Sequence, residues 1–206
     1  MLNCAKCGLY SCRKGDLEHL PQECPIRDNA DIYDKALAQY RDDPKQLACR
    51  SAKIESTGYG VWPRIREIIE FAKLSGYTRL GMAFCIGLCK EALEINKIFE
   101  NAGFSMASIV CKTGSRPKEA LGLRDEDKVH PGEFEPMCNP TAQAMLLNKA
   151  KTELNILVGL CVGHDTLFIK NSEAPVTILA VKDRVTGHNP LVAIYAAHYF
   201  ESKLAK

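Results

Sequence analysis

The sequence predicts an α/β protein: a small Rossmann-like or flavodoxin-like parallel sheet with an N-terminal cysteine-rich metal knuckle and extra helices. Two observations predict the sheet. Beyond residue 77, short apolar runs alternate with amphipathic stretches, the pattern of strands joined by helical crossovers. The runs TRLGMAFCI, FSMASIVC, NILVGLC and VTILAV are nearly continuous in apolar residues, as strands covered on both faces require. With right-handed crossovers the expected order of the four strands is 2-1-3-4. A third observation predicts the knuckle: four of the ten cysteines fall within the first 24 residues, where no helical or strand period is sustained.

Residues 1–27 carry Gly8, Gly15, Pro21 and Pro25 among their cysteines and need an external staple to hold a shape. They form the expected metal-binding knuckle, and residues 28–206 the α/β domain with a strand-end cysteine site. Asp28 to Ser56 reads as helical, with Ile32, Leu37, Tyr40 and Leu47 on one stripe and a break near Pro44. A loop at Thr57–Gly60 follows. WPRIREIIEFAKLSG is then a helix with Pro63 in its first turn and Gly76 at its end. The first strand spans Thr78 to Ile86, a helix runs from Leu88 to Asn101, and the second strand spans Phe104 to Cys111. The charged stretch GSRPKEALGLRDEDKVHPGEFEP is too long for an ordinary connection, so it is either functional or disordered. Asn139-Pro140 opens a helix to about Lys151. Asn155 to Cys161 is the third strand, Asp165 to Lys170 a short helix and Val176 to Val181 the fourth strand. Asn189-Pro190 begins the C-terminal helix.

Composition narrows the function classes. The 206 residues suffice for one well-buried domain and a small appendage. A formal net charge of +2 supplies no basic field for nucleic acid. No apolar run is long enough to span a bilayer, and the polar, cysteine-rich start has no apolar core of a signal peptide. The expectation is a cytoplasmic protein that engages neither nucleic acid nor membrane. In that setting ten cysteines point to metal ligation or redox chemistry rather than to disulfides.

Ligands of open parallel sheets bind outside the carboxyl ends of the strands. Cys85, Cys111 and Cys161 end three of the expected strands, while Cys89 and Cys138 lie at helix starts on the same edge. A single strand-end cysteine is ordinarily a small core hydrophobe. Five at one edge specify a shared site. Thiolates in a dry cleft suit an iron–sulfur cluster of the 4Fe–4S type, or zinc if four close a tetrahedron. Cys49 is expected to be core. His164 and His188 follow the third and fourth strands, and His164 is the candidate proton donor to a ligand on an open iron. His19, His130 and His198 read as surface residues.

Cys4-x2-Cys7-x4-Cys12-x11-Cys24 offers four soft ligands on a segment without a core, which fits a structural Zn²⁺ site or a second cluster. Lys112, Ser115, Arg116 and Lys118 lack phosphate-loop spacing and read as a solvated charged loop. Glu67, Glu70 and Lys73 form a solvent face, and Tyr10, Tyr59, Trp62 and Tyr77 are too dispersed to stack bases. No serine–histidine–acid set is visible.

CAKCGLYSC, AFCIGLCKEA, MCNP, GLCVGHD and VKDRVTGHNPL, in this order, resemble an uncharacterised family of predicted cysteine-rich metal-binding proteins of archaea and anaerobic bacteria. The resemblance covers almost the whole chain. It implies metal binding through Cys4, Cys7, Cys12, Cys24, Cys85, Cys89, Cys111, Cys138 and Cys161, and implies no reaction. Three readings follow. The first is a cluster protein serving electron transfer or small-ligand activation, with a redox protein or a small molecule as partner. The second is a non-catalytic zinc-binding interaction or regulatory module. The third is a thiol enzyme using Cys85 and Cys89, or Cys161, although Cys-x3-Cys is one residue longer than a thioredoxin motif.

Overall fold

A computed structural model describes residues 3–204. Its contacts divide the chain into two units, Met1–Thr57 and Gly58–Lys206.

The first unit begins with two 3-10 turns, Cys4–Lys6 and Ser11–Lys14, followed by helices α1 (Pro25–Asp28), α2 (Ala30–Gln39) and α3 (Asp42–Gly58), the last running one residue past the division. Its cysteine-bearing part is held by few groups. Leu20 is buried, Ser11 donates from Oγ to the His19 carbonyl at 2.9 Å, and Arg27 donates to the Leu20 and Pro21 carbonyls. The helical break expected near Pro44 falls at Tyr40 and Arg41 instead. Pro44 sits in the first turn of α3, where its missing N–H is no loss. Cys49, expected to be core, is exposed on α3, a helix in which only Gly58 is buried.

The second unit carries the sheet. Helix α4 (Arg64–Leu74) is preceded by Pro63 and ended by Gly76, whose φ of 71° permits the left-handed turn into β1. Strands β1 (Arg79–Phe84), β2 (Ser105–Val110), β3 (Leu154–Val158) and β4 (Val176–Ala180) pair in parallel in the order β2-β1-β3-β4, as the sequence predicts. The crossovers contain α5 (Cys89–Asn101), α6 (Pro140–Lys149) and α7 (His164–Asn171). The chain ends in α8 (Leu191–Tyr195) and α9 (Ala197–Leu204), so the single C-terminal helix expected is interrupted at Ala196. The residue capping α8 is Pro190 rather than Asn189.

Alternation along the strands sends side chains to two cores. Leu80, Met82, Ile156 and Val158 join Ile68, Ile69, Phe99 and Phe104 on the α4/α5 face. Ala83, Cys85, Cys111 and Leu157 join Ala144, Leu147 and Phe168 on the α6/α7 face. Gly81 serves the second face by its lack of a side chain, since a Cβ there would stand 1.9 Å from Asn155 Oδ1. That oxygen accepts from Thr152 Oγ1 at 2.8 Å, and Asn155 Nδ2 donates to Ser172 Oγ at 2.8 Å, so the buried amide is paired at both ends.

The long charged stretch after β2 is ordered. Pro117 and Pro136 form an antiparallel bridge, Lys118 N donates to the Glu135 carbonyl at 3.1 Å, and Met137 N donates to the Arg116 carbonyl at 2.7 Å. Beyond this neck, Lys128 pairs with Glu119 at 2.6 Å and Asp125 at 2.9 Å, and Lys118 pairs with Glu135 at 2.9 Å. The excursion therefore closes on itself. Asn139 N then donates to the Cys111 carbonyl at 2.7 Å, returning the chain to the residue it left.

Candidate functional site

The strand ends at the carboxyl edge assemble the site. Cys111 N donates to Phe84 O at 2.8 Å and Cys85 N to Val158 O at 3.1 Å, so both cysteines continue the ladder one residue past the strands. Phe84 and Val110 are register partners, which makes Cys85 and Cys111 the next neighbours. Both side chains belong to the α6/α7 core, with Cys138 packed against it. Cys138 arrives through the closed neck and the Asn139 cap of α6, whose Oδ1 accepts from Ala142 N at 3.0 Å.

Cys111 lies between the other two, beside Cys85 across the sheet and beside Cys138 through the Asn139 N–Cys111 O bond, and each neighbour acts on its proton. The Cys111 hydrogen bond, then the Gly87 amide and Lys182, hold the Cys85 thiol down at about 5. The Cys111 hydrogen bond, then the charges of Lys112 and His164, bring Cys138 down to about 6. Cys111, beside Cys138 and Cys85 and buried, is pushed far up and keeps its proton. The Ile86 amide donates to Cys111 Sγ at 3.3 Å. Arg184 Nη2 donates to Cys161 Sγ at 3.4 Å, and the Cys161 and Cys85 charges raise the guanidinium's affinity for its proton.

Two further features border the thiols. Gln143 on α6 is fully buried and donates from Nε2 to Ile109 O at 2.8 Å and Phe84 O at 3.3 Å, just below the two strand-end thiols. Among the described residues its Oε1 has no hydrogen-bond partner. Gly87 leaves room over Cys85: a Cβ there would stand 3.2 Å from Lys182 Nζ and 3.9 Å from Cys85 Sγ.

The structure thus brings together Cys85, Cys111 and Cys138, sets Cys161 on the same edge beside Arg184, and puts His164 at the first residue of α7. Cys89 is exposed at the first residue of α5. His188 is turned into its own loop, its Nδ1 accepting from Asp183 N at 3.1 Å. In the first unit, Cys4 and Cys12 are exposed on 3-10 turns, while Cys7 and Cys24 are half-buried. Cys7 Sγ accepts from Tyr10 N at 3.4 Å, and Cys24 precedes α1. Among the described residues, no three His, Cys, Asp or Glu side chains are gathered as a bound metal ion requires.

Sequence reasoning passed over Lys182 and Arg184 and treated Lys112 as solvated. The signal was present: Lys112 follows β2, and Lys182 and Arg184 follow β4, so the rule that gathered the cysteines at this edge gathers these cations too. Gln143 had no such signal, because a glutamine inside an amphipathic helix ordinarily faces water.

The fold and the site define an α/β protein with a four-stranded parallel sheet and a cation-flanked cluster of thiols at its carboxyl edge. The chain matches the family described as "Protein of unknown function (DUF1847)" over residues 24–179, and it belongs to that family. A relative from Methanocaldococcus jannaschii, the uncharacterized protein MJ0455, is 41% identical over 204 residues, spanning 98% of this chain and 98% of its own. Ornithine carbamoyltransferase from Burkholderia thailandensis is a structural match at 14% identity and a TM-score of 0.33, covering 77% of this chain and 44% of that one. Among the described residues, no helix is long and apolar enough to cross a membrane.

Proposed function

We propose that this is a metal–thiolate protein of the cytoplasm, with a soft metal centre held at the sheet's carboxyl edge by Cys85, Cys111, Cys138 and Cys161. One observation carries the reading: thiols from three separate segments share the α6/α7 core at the strand ends, with Cys111 beside Cys85 and Cys138, and those two are drawn toward thiolate by hydrogen bonds and lysines. Thiolates are the form that soft metals bind, and a cation-lined pocket offsets the negative charge of a sulfur-ligated centre. The donor set fits an iron–sulfur cluster, with Cys161, beyond the other three, as the outlying ligand. A cluster bound there would supply electron transfer, or an iron that activates a small ligand.

Binding requires the Cys111 proton to leave and the sulfurs to turn toward a common centre. Lys182 favours the charged form of Cys85 and Lys112 that of Cys138, while Arg184 donates to Cys161 Sγ, and hydrogen bonds to sulfur are the protein's means of tuning such a centre. His164, the first residue of α7 at this edge, is the proposed proton donor to a ligand bound there. In the first unit, Cys4, Cys7, Cys12 and Cys24 supply four soft donors to a segment with little core, which suits a structural Zn²⁺.

One observation favours a second reading, a zinc-binding regulatory module. Cys85, Cys111, Cys138 and Cys161 are four soft donors at one sheet edge, the number that closes a tetrahedral Zn²⁺ site. Anaerobic metal and acid-labile sulfide analysis separates the two. Brown protein with iron and sulfide, whose colour Cys161→Ala bleaches without unfolding the chain, supports the cluster. Colourless protein with zinc at both sites supports the module, and protein that takes up no metal at the strand ends overturns both.

A further inference from the structure

We propose that the metal-free site is a thiol–disulfide relay with Cys111 at its hub: Cys111 forms a disulfide with Cys138 or with Cys85, one at a time, and passes the bond between them. The proposal uses the thiols described above but does not depend on their holding a metal.

Three geometric facts carry it. Cys85 and Cys111 are lateral neighbours one residue beyond the Phe84–Val110 pair, with Cys111 N still bonded to Phe84 O at 2.8 Å. Adjacent strands lie about 4.8 Å apart, inside the Cα separation of about 4.4–6.8 Å that a disulfide spans. On the other side, the bond from Asn139 N to Cys111 O at 2.7 Å fixes Cys138 one residue from a direct backbone contact with Cys111. Finally, Cys111 Sγ stands 3.3 Å from the Ile86 amide, beside the Cys85 thiol rather than turned from it. The sulfur between two others is the one that can be attacked from one side while a bond on its other side breaks, as thiol–disulfide exchange demands.

The two ends differ in access. Cys138 is half-buried, whereas Cys85 is 6% exposed. Cys138 is therefore the entry and Cys85 the inner terminus. Cys161 and Cys89 stand outside the relay, the first on Arg184 and the second exposed at the start of α5.

The chemistry balances with a small disulfide such as oxidised glutathione as oxidant. The Cys138 thiolate attacks one glutathione sulfur, forming a mixed disulfide and releasing one glutathione thiolate. Cys111 loses its proton to solvent and attacks the Cys138 sulfur, forming the Cys111–Cys138 bond and releasing the second glutathione. The Cys85 thiolate then attacks Cys111, forming Cys85–Cys111 and restoring the Cys138 thiolate. Two thiols are oxidised and one glutathione disulfide is reduced to two thiols.

The test is a disulfide map of the full-length chain, freed of metal by a chelator under anaerobic conditions and treated with oxidised glutathione. Acid quenching, alkylation and peptide mass analysis should find Cys111 joined to Cys138 early and to Cys85 later. Cys138→Ser should slow oxidation of Cys111 at least about tenfold and leave Cys85–Cys111 as its only pair. Cys111→Ser should trap glutathione on Cys138. A Cys85–Cys138 bond in the wild-type chain, or Cys111 still free after the other thiols have reacted, overturns the relay. The wild-type map decides the matter even if replacing buried Cys111 harms folding. Metal content measured on the same preparation reports separately on the metal reading.

Discussion

The two sets of cysteines differ in what positions them. Cys85 and Cys111 are held by ladder hydrogen bonds and by a core containing Phe168, Leu157 and Ala144, so their placement follows from folding of the sheet. Cys4 and Cys12 ride on short 3-10 turns, Cys7 follows the first turn and Cys24 precedes α1, in a segment whose one buried large apolar residue, among the described residues, is Leu20, with side-chain bonds from Ser11 and Arg27. A segment with so little buried apolar surface gains its rigidity from whatever its thiols bind. The comparison teaches that similar residues can stand in opposite settings: at the strand ends the fold places the thiols, whereas at the N-terminus little packing does, and the Zn²⁺ proposed there would have to supply the rigidity.

The largest expected effect attacks the folded side of that comparison. Phe168 is fully buried on the face shared with Cys85 and Cys111. Phe168→Ala should lower stability by about 3–5 kcal/mol, the usual range for emptying an aromatic core position. Urea unfolding of the full chain measures it, and alkylation of Cys7 should be unchanged in rate. A loss below about 1 kcal/mol would mean the strand-end thiols do not rest on this core.

Gly81→Ala is the next step down. Its Cβ would meet Asn155 Oδ1 at 1.9 Å, and the clash cannot be relieved without moving the Thr152 and Ser172 bonds. The expected cost is about 1–3 kcal/mol, as for other overpacked cores. Asn155→Ala in the same background should recover part of it, whereas additive losses in the double variant would refute the clash.

On the other side, if the proposed N-terminal Zn²⁺ is bound there, Cys7→Ser should release it and speed proteolysis within residues 3–27. The unfolding transition of the sheet should move by no more than about 0.5 kcal/mol, as for a surface change. Equal loss of both transitions would erase the distinction drawn between the two regions.

Legibility in the sequence follows the same division. All four strands and their order could be read because continuous apolar runs alternating with helices admit few parallel topologies. The first strand ends at Phe84, not Ile86, because Ile86–Leu88 is a 3-10 turn whose Leu88 is buried like a strand residue. The gathering of Cys85, Cys111 and Cys138 was legible from strand-end placement. The outward position of Cys89 was not, since a helix start fixes the backbone but not which way its first side chain faces. Lys182 could have been found by the rule already applied to cysteine. The order of the long loop was hidden, because a charged stretch looks the same whether its carboxylates meet water or lysines.

That loop gives the smallest effect. Beyond its neck, the ammonium of Lys128 joins Glu119 and Asp125, and Lys118 joins Glu135. The Lys128 hydrogen bond holds Glu119 and Asp125 below their ordinary carboxylate values, and those two carboxylates raise Lys128. Glu135 is lowered chiefly by Lys118. The signs set the window. Lowered carboxylates stabilise the loop above their unfolded values, and this is lost as pH falls through the depressed folded ones. The raised lysine stabilises below its unfolded value and stops doing so as pH rises through the elevated folded one. The loop should therefore be most protected between about pH 5 and pH 10, opening first on the acid side. Hydrogen exchange of residues 118–133 across that range measures it. Lys128→Met should flatten most of the profile while Lys118–Glu135 retains its share of the acid limb. Because the neck returns the chain to Cys111, acid opening confined to the loop tip should leave the Cys138 alkylation rate, compared at a common pH after brief acid exposure, unchanged. A Cys138 rate that rises with loop opening would show that the ion pairs, and not the neck and the Asn139 cap, hold that thiol in place.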